Sequence, residues 1–187
     1  MPHEAEIKPD PNPSSYRRSR VYVAGPPFSG KSTAGEILAG ILGFPFADLD
    51  RLVEVAAGAA LHRIFREKGE AAFRELEKRC LADTASREGN LVLAVGGGAL
   101  LDRANLDLVL AGGILLTLWA APSVLASRMS RDPAARPLSM DDASLLRLLR
   151  ARESHYLSLP NRIDTSDLEA HEVAEEAAAL VRRVLLI

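Results

Sequence analysis

Nine residues, Gly25-Pro26-Pro27-Phe28-Ser29-Gly30-Lys31-Ser32-Thr33, carry the densest chemistry in the chain. They fit the pattern G-x-x-x-x-G-K-S/T, a loop suited to the phosphates of a nucleoside triphosphate. Gly30 lets the backbone approach closely, Lys31 brings a point charge to the outer phosphates, and Ser32 offers a hydroxyl to Mg²⁺. Pro26 and Pro27 have no N–H, so the donors must come from Phe28 onward, through Ser29, Gly30 and Lys31 to Thr33. Such a cradle needs a helix opening at Lys31, because the first helical turn has unpaired N–H groups and a partial positive charge.

A phosphate loop does not say where the phosphate goes, so a second set of groups must hold an acceptor. Asp48 and Asp50 lie two apart after a short apolar run. One could hold a metal's water shell and the other accept a proton from an attacking hydroxyl. The plain alternative is that Asp50 caps a helix over residues 52–57. Arg74 and Glu77, three apart, share a helix face, although a solvated Glu70–Arg74 pair would account for that arginine equally well. Gly96, Gly97 and Gly98 in a row cost conformational entropy that a simple turn does not require. Their use would be to bring bare backbone N–H groups to a ligand; a flexible turn is the alternative. Arg128, Arg131 and Arg136 flank a polar stretch of lid length (131–142), and Arg152 follows on the next helix. Guanidinium forks match carboxylate and phosphate planes, and a lid arginine can neutralise charge on a transferring phosphoryl group. Arg131, Arg147 and Arg150 read as surface arginines.

The elements that must position these groups follow from the hydrophobic pattern. Short β-branched or apolar runs at 20–25, 44–48, 91–95, 114–119 and 162–164 predict five strands. Between them, helical periodicity is expected over 31–42, 69–87, 106–111, from Pro122 onward, over 143–157, and over 169–186. Strands separated by helices imply an α/β fold of three layers: a parallel five-stranded sheet with helices on both faces.

With 187 residues, 48% of them hydrophobic and 26% charged, the chain is an ordinary globular composition for one domain. Its net charge of -2 argues against a nucleic-acid-coating protein. A single cysteine, Cys80, excludes a disulfide framework or a cysteine zinc cluster. Residues 108–127 carry no charge, but Gly112, Gly113 and Pro122 break them, so no membrane span is expected. Residues 1–19 read as a flexible polar tail before a single domain over 20–187. The protein is expected to be a cytoplasmic monomer.

In order, these pieces resemble the shikimate kinase family of P-loop kinases. The matching stretches are GPPFSGKSTAGEILAGILGFPFADLDRLVE, AAGAALHRIFREKGEAAFRELEKRCL, LVLAVGGGAL, SRMSRDPAARPL and RESHYLSLPNRIDT, almost everything but the tail. The resemblance implies a P-loop kinase fold with a lid, and transfer of the γ-phosphoryl of ATP to the 3-hydroxyl of shikimate. It implies Lys31 on the β- and γ-phosphates, Ser32 on Mg²⁺ and Asp48 near the metal through water. Asp50 would meet the substrate hydroxyls as a candidate base, and Arg74 and Arg152 the carboxylate. Gly97, with Gly96 and Gly98, would offer backbone to the ring hydroxyls, and Glu77 would orient the group. Arg136 would be the catalytic lid arginine on the phosphates, and Arg128 would lie beside adenine. Leu61, Phe65 and Phe73 would wall the ring.

Three positions depart from the family pattern. Phe28 stands where an inner glycine is expected, Ser139 where leucine commonly follows RPL, and Ala170 where a proline is often seen. Two other readings remain open from the residues: a P-loop kinase of another polyol or cyclitol acid, such as gluconate, and a nucleotide-binding homologue without catalysis.

Overall fold

The computed structural model describes residues 19–131 and 141–185. The expected tail before Ser19, and most of the expected lid with Arg136 and Ser139, lie outside the described residues. Five strands form: β1 (Arg20–Ala24), β2 (Phe46–Asp48), β3 (Leu91–Ala94), β4 (Ile114–Trp119) and β5 (Arg162–Asp164). They lie in the order β2-β3-β1-β4-β5, and every neighbouring pair is parallel. The helices are α1 (Lys31–Leu42), α2 (Leu49–Ala57), α3 (Leu61–Ser86), α4 (Arg103–Gly112), α5 (Pro122–Arg131), α6 (Asp142–Ser158) and α7 (Ala170–Val184).

The central strands are buried on both faces, which is why they read as continuous apolar runs rather than alternating ones. Val21 and Val23 of β1, with Leu116 and Leu118 of β4, pack under α1 and α7. The alternate residues Tyr22, Ala24, Leu115 and Trp119 face the opposite layer, with Leu81 of α3, Val109 of α4 and Tyr156 of α6. Thr117, the polar residue inside β4, donates its buried hydroxyl to the Pro160 carbonyl at 3.0 Å. No helix of the described residues is long and apolar enough to cross a membrane.

Two expectations change. The long helix begins at Leu61 rather than near Gly69, and Gly69, at φ 78 and ψ 171, divides it into two segments. The first segment buries only Ile64, so it has no apolar stripe to announce it. The cap of α2 is Asp48 rather than Asp50: an Asp48 carboxylate oxygen accepts from the Asp50 N–H at 2.9 Å. Asp50 thereby sits in the first turn, with its own carboxylate left for other work.

Gly25, at the exit of β1, has φ 148, and a Cβ there would lie 2.2 Å from the Leu118 carbonyl oxygen. Backbone cannot yield as a side-chain tip can. Gly25→Ala is therefore expected to cost at least about 3 kcal/mol. Gly40, exposed on α1 with nothing near its Cβ position, is the control. Gly40→Ala should raise the melting temperature by about 2–4 °C, measured by thermal unfolding of both variants.

Candidate active site

Parallel pairing sets the loops after β1, β2 and β3 side by side at the carboxyl edge of the sheet, where ligands bind in open α/β folds. The loop after β1 leads into α1 at Lys31. Within it, Phe28 has φ 63, a left-handed conformation that costs a non-glycine residue about 1–2 kcal/mol. Packing offsets that cost: the Phe28 ring lies against the cluster of Leu125, Met129, Leu145 and Leu149 from α5 and α6. Its carbonyl accepts from Arg128 at 3.5 Å. An aromatic residue thus occupies the glycine position by using its side chain as an anchor.

The Lys31 ammonium donates to the Pro26 carbonyl at 2.9 Å, within its own loop. Burial pushes its pKa down, against the pull of Asp50 and Asp48. The Ser32 hydroxyl donates to Asp48 at 2.5 Å. A hydroxyl and a carboxylate beside a phosphate cradle are the hard oxygen donors that suit Mg²⁺. Among the described residues there is no cluster of three or more acidic, histidine or cysteine ligands, so a metal here would take further ligands from phosphate and water.

On the far side of the glycine run lies an acidic and cationic group held by α2 and α3. Glu77 is 1% exposed and accepts from Arg74 at 2.8 Å. The same guanidinium reaches exposed Glu70 at 3.2 Å, so the solvated pair expected from the sequence forms alongside the buried one. It also lies 5.0 Å from the centre of the Phe73 ring, which stacks against Phe65 at 4.3 Å. Leu61 and Phe73 contribute to the apolar packing beneath it.

The three glycines join these halves, and the space around them explains the residue type. A Cβ on Gly96 would lie 2.8 Å from a Glu77 oxygen and 2.9 Å from an Asp50 oxygen. On Gly98 it would lie 2.7 Å from an Arg74 nitrogen. On Gly97 it would meet Pro27 at 3.3 Å and the Gly25 carbonyl at 3.4 Å. The run is therefore squeezed between the phosphate loop and the charged cluster, which a merely flexible turn would not be. Arg152 points to the same place, 3.4 Å from the Gly97 carbonyl.

Burial raises the pKa of both carboxylates. For Asp50 the neighbouring Asp48 adds to the rise while Lys31 opposes it. For Glu77, Arg74 opposes it and Asp50 adds to it.

Beyond the start of α1 is a cavity of about 600 Å³ lined by Gly30, Thr33, Arg128, Thr165 and Ala170. On its wall Arg128 donates to the hydroxyl of Thr165, at 3.0 Å, and to its carbonyl. Arg131, expected as a surface arginine, also lies on its wall. Sequence reasoning missed Thr165 as the partner of Arg128, and it missed Tyr156, whose hydroxyl donates to the Gly97 carbonyl. Tyr156 lies four residues after Arg152 on α6, a spacing that puts both on one helix face.

Residues 27–182 match the family model described as shikimate kinase. The chain belongs to the shikimate kinase family. A shikimate kinase of Salinibacter ruber is 48% identical over 123 residues, 66% of this chain and 60% of that one. A shikimate kinase of Chlorobaculum tepidum is 35% identical over 175 residues, covering 88% of this chain and 91% of its relative. The structure superposes with a TM-score of 0.85 on the shikimate kinase from Acinetobacter baumannii in complex with shikimate, at 31% identity, covering 95% and 100% of the two chains. The five-stranded parallel sheet with flanking helices is the P-loop kinase architecture of this family.

Two outcomes follow from the geometry. Gly98→Ala presses on the tip of a flexible arginine, not on backbone. The fold should survive with its melting temperature changed by less than about 3 °C, while KM for the acceptor rises about tenfold or more as Arg74 is displaced. Asp50→Asn should raise the melting temperature at neutral pH while removing turnover. The sign follows from a folded pKa above the ordinary value of 3.8. Native stability is complete below that value and is lost as pH rises through the folded pKa, because the unfolded chain ionises first. The gap between variant and native protein should therefore open over that window and stay constant above it, as read by thermal unfolding across pH.

Proposed function

We infer that the chain transfers the γ-phosphoryl of ATP to the 3-hydroxyl of shikimate, a step of aromatic amino acid biosynthesis. The observation that carries this reading is the convergence of Asp50, Arg74, Arg152 and the Gly96–Gly98 backbone beside a phosphate loop. Two arginines suit one carboxylate, a carboxylate base and exposed backbone suit ring hydroxyls, and the Phe65–Phe73 pair suits a small apolar ring face.

In the proposed step the Asp50 carboxylate accepts the proton of the acceptor hydroxyl. That oxygen bonds to the γ-phosphorus as the bond to the β,γ-bridging oxygen breaks, and ADP carries away the electron pair. Lys31 gives up the Pro26 carbonyl for the β- and γ-phosphates, with the backbone N–H groups from Phe28 to Thr33 around them. Ser32 and Asp48 would hold Mg²⁺, which when bound would neutralise phosphate charge. Glu77 fixes Arg74 so that its remaining donors face the acceptor. Arg128 lies beside adenine in the 600 Å³ cavity, and Arg136, by its place in the family pattern, reaches the phosphates from the lid. The reading takes residues 20–187 as one catalytic domain, a monomer in the cytoplasm with no nucleic-acid or membrane partner.

A kinase of a neutral cyclitol would leave Arg74 and Arg152 with nothing to hold. Coupled measurement of ADP release over shikimate, gluconate and nucleoside monophosphates is the test. Turnover is expected with shikimate, and turnover with another acceptor but not shikimate would overturn the assignment. Lys31→Ala should lower kcat by about 10³-fold or more. Arg152→Ala should raise the shikimate KM about 100-fold and leave the ATP KM within twofold.

A further inference from the structure

The Gly97 carbonyl accepts from two donors, the Tyr156 hydroxyl and, at 3.4 Å, the Arg152 guanidinium. The second bond is long and therefore weak. The proposed function requires Arg152 to leave that carbonyl for the acceptor's carboxylate. We propose that Tyr156 is a positioning residue for the acceptor: its hydroxyl keeps the Gly97 carbonyl hydrogen-bonded and so frees Arg152 to bind shikimate. This inference rests on that reading of the function and deepens it.

The placement supports the role. Tyr156 is 2% exposed, and its ring packs 6.2 Å from that of Trp119 at the end of β4. Core packing, rather than the mobile end of a long side chain, thus aims the hydroxyl. Burial pushes the phenol pKa up, against Arg152, so the hydroxyl remains a proton donor at the pH of the reaction. A carbonyl has two lone pairs, so tyrosine and arginine can share it and either can hold it alone. Gly97 also faces the phosphate loop: a Cβ on it would lie 3.3 Å from Pro27 and 3.4 Å from the Gly25 carbonyl. A shift of its peptide would disturb the phosphate loop as well as the acceptor side, and tyrosine prevents it.

Without the hydroxyl, an arginine that moves to the acceptor leaves a partly buried carbonyl unpaired. A loss of that kind is a factor of about 5–30 in an equilibrium. Tyr156→Phe keeps the ring and removes only the donor. In steady-state kinetics it should raise the shikimate KM about 5–30-fold, with kcat and the ATP KM each within about threefold of native. In an Arg152→Ala background, Tyr156→Phe should change the shikimate KM by less than about twofold, because the arginine it releases is gone. A merely structural tyrosine would give multiplied effects.

Thermal unfolding supplies an independent readout. Arg152→Ala alone should shift the melting temperature by less than about 2 °C, since Tyr156 still satisfies the carbonyl. A native-like shikimate KM in Tyr156→Phe, multiplied effects in the double variant, or a large melting loss in Arg152→Ala would each overturn the proposal while the native enzyme still turns over shikimate. Absence of shikimate-dependent turnover in the native chain would overturn it together with the functional reading.

Discussion

Pairing of β3 between β1 and β2 is the constraint on which the site depends. Val23 lies opposite Ala94, and Ala94 opposite Asp48, so three strands end nearly in step. The phosphate loop, the triglycine run and the Asp48–Asp50 turn are then neighbours by geometry, although they are well separated along the chain. A parallel sheet puts all its strand ends of one kind at one edge, and crossovers lay the helices over its faces with their starts at that edge. The gap that remains between the loops is narrow enough that a Cβ on Gly96 would collide with Asp50 and Glu77, and one on Gly98 with Arg74.

That narrowness has an electrostatic consequence. Carboxylates and guanidinium groups are held close together and partly out of water, with burial raising the pKa of Asp50 and Glu77. Arg74 compensates Glu77 directly, but Asp50 has only the longer-range help of Lys31 and Arg74. The fold thus bears an unfavourable charge at the position proposed for the proton acceptor. Phe28 is a second instance of local strain at the site: a left-handed aromatic residue, held by the packing of its partly buried ring against the α5–α6 cluster. It also ties the phosphate loop to the two helices that flank residues 132–140.

Much of the fold was legible because its signals are local. The β1 run and the glycine-lysine-serine turn announce a strand, a loop and a helix within a dozen residues, and β4 and β5 occupy the expected runs 114–119 and 162–164. The first half of α3 was not legible, since only Ile64 of its eight residues before Gly69 is buried. Asp48 and Asp50 both offer a cap to α2, and only the turn geometry decides that Asp48 serves. Thr165 escaped notice because its value comes from Arg128, which reaches this loop residue from α5.

By itself the sequence determined the chemistry of the phosphate loop, the parallel α/β layering and the roster of charged groups, since these depend on residue type, spacing and periodicity along one segment. Tertiary structure alone decided which of those charges share a site. Glu70 and Glu77 are both within reach of Arg74 on the helix, yet only Glu77 is carried into the gap facing Gly96, and Tyr156 meets Gly97 across 59 positions of chain. Such meetings depend on how strands order in the sheet and on what each helix face packs against, which no local pattern encodes.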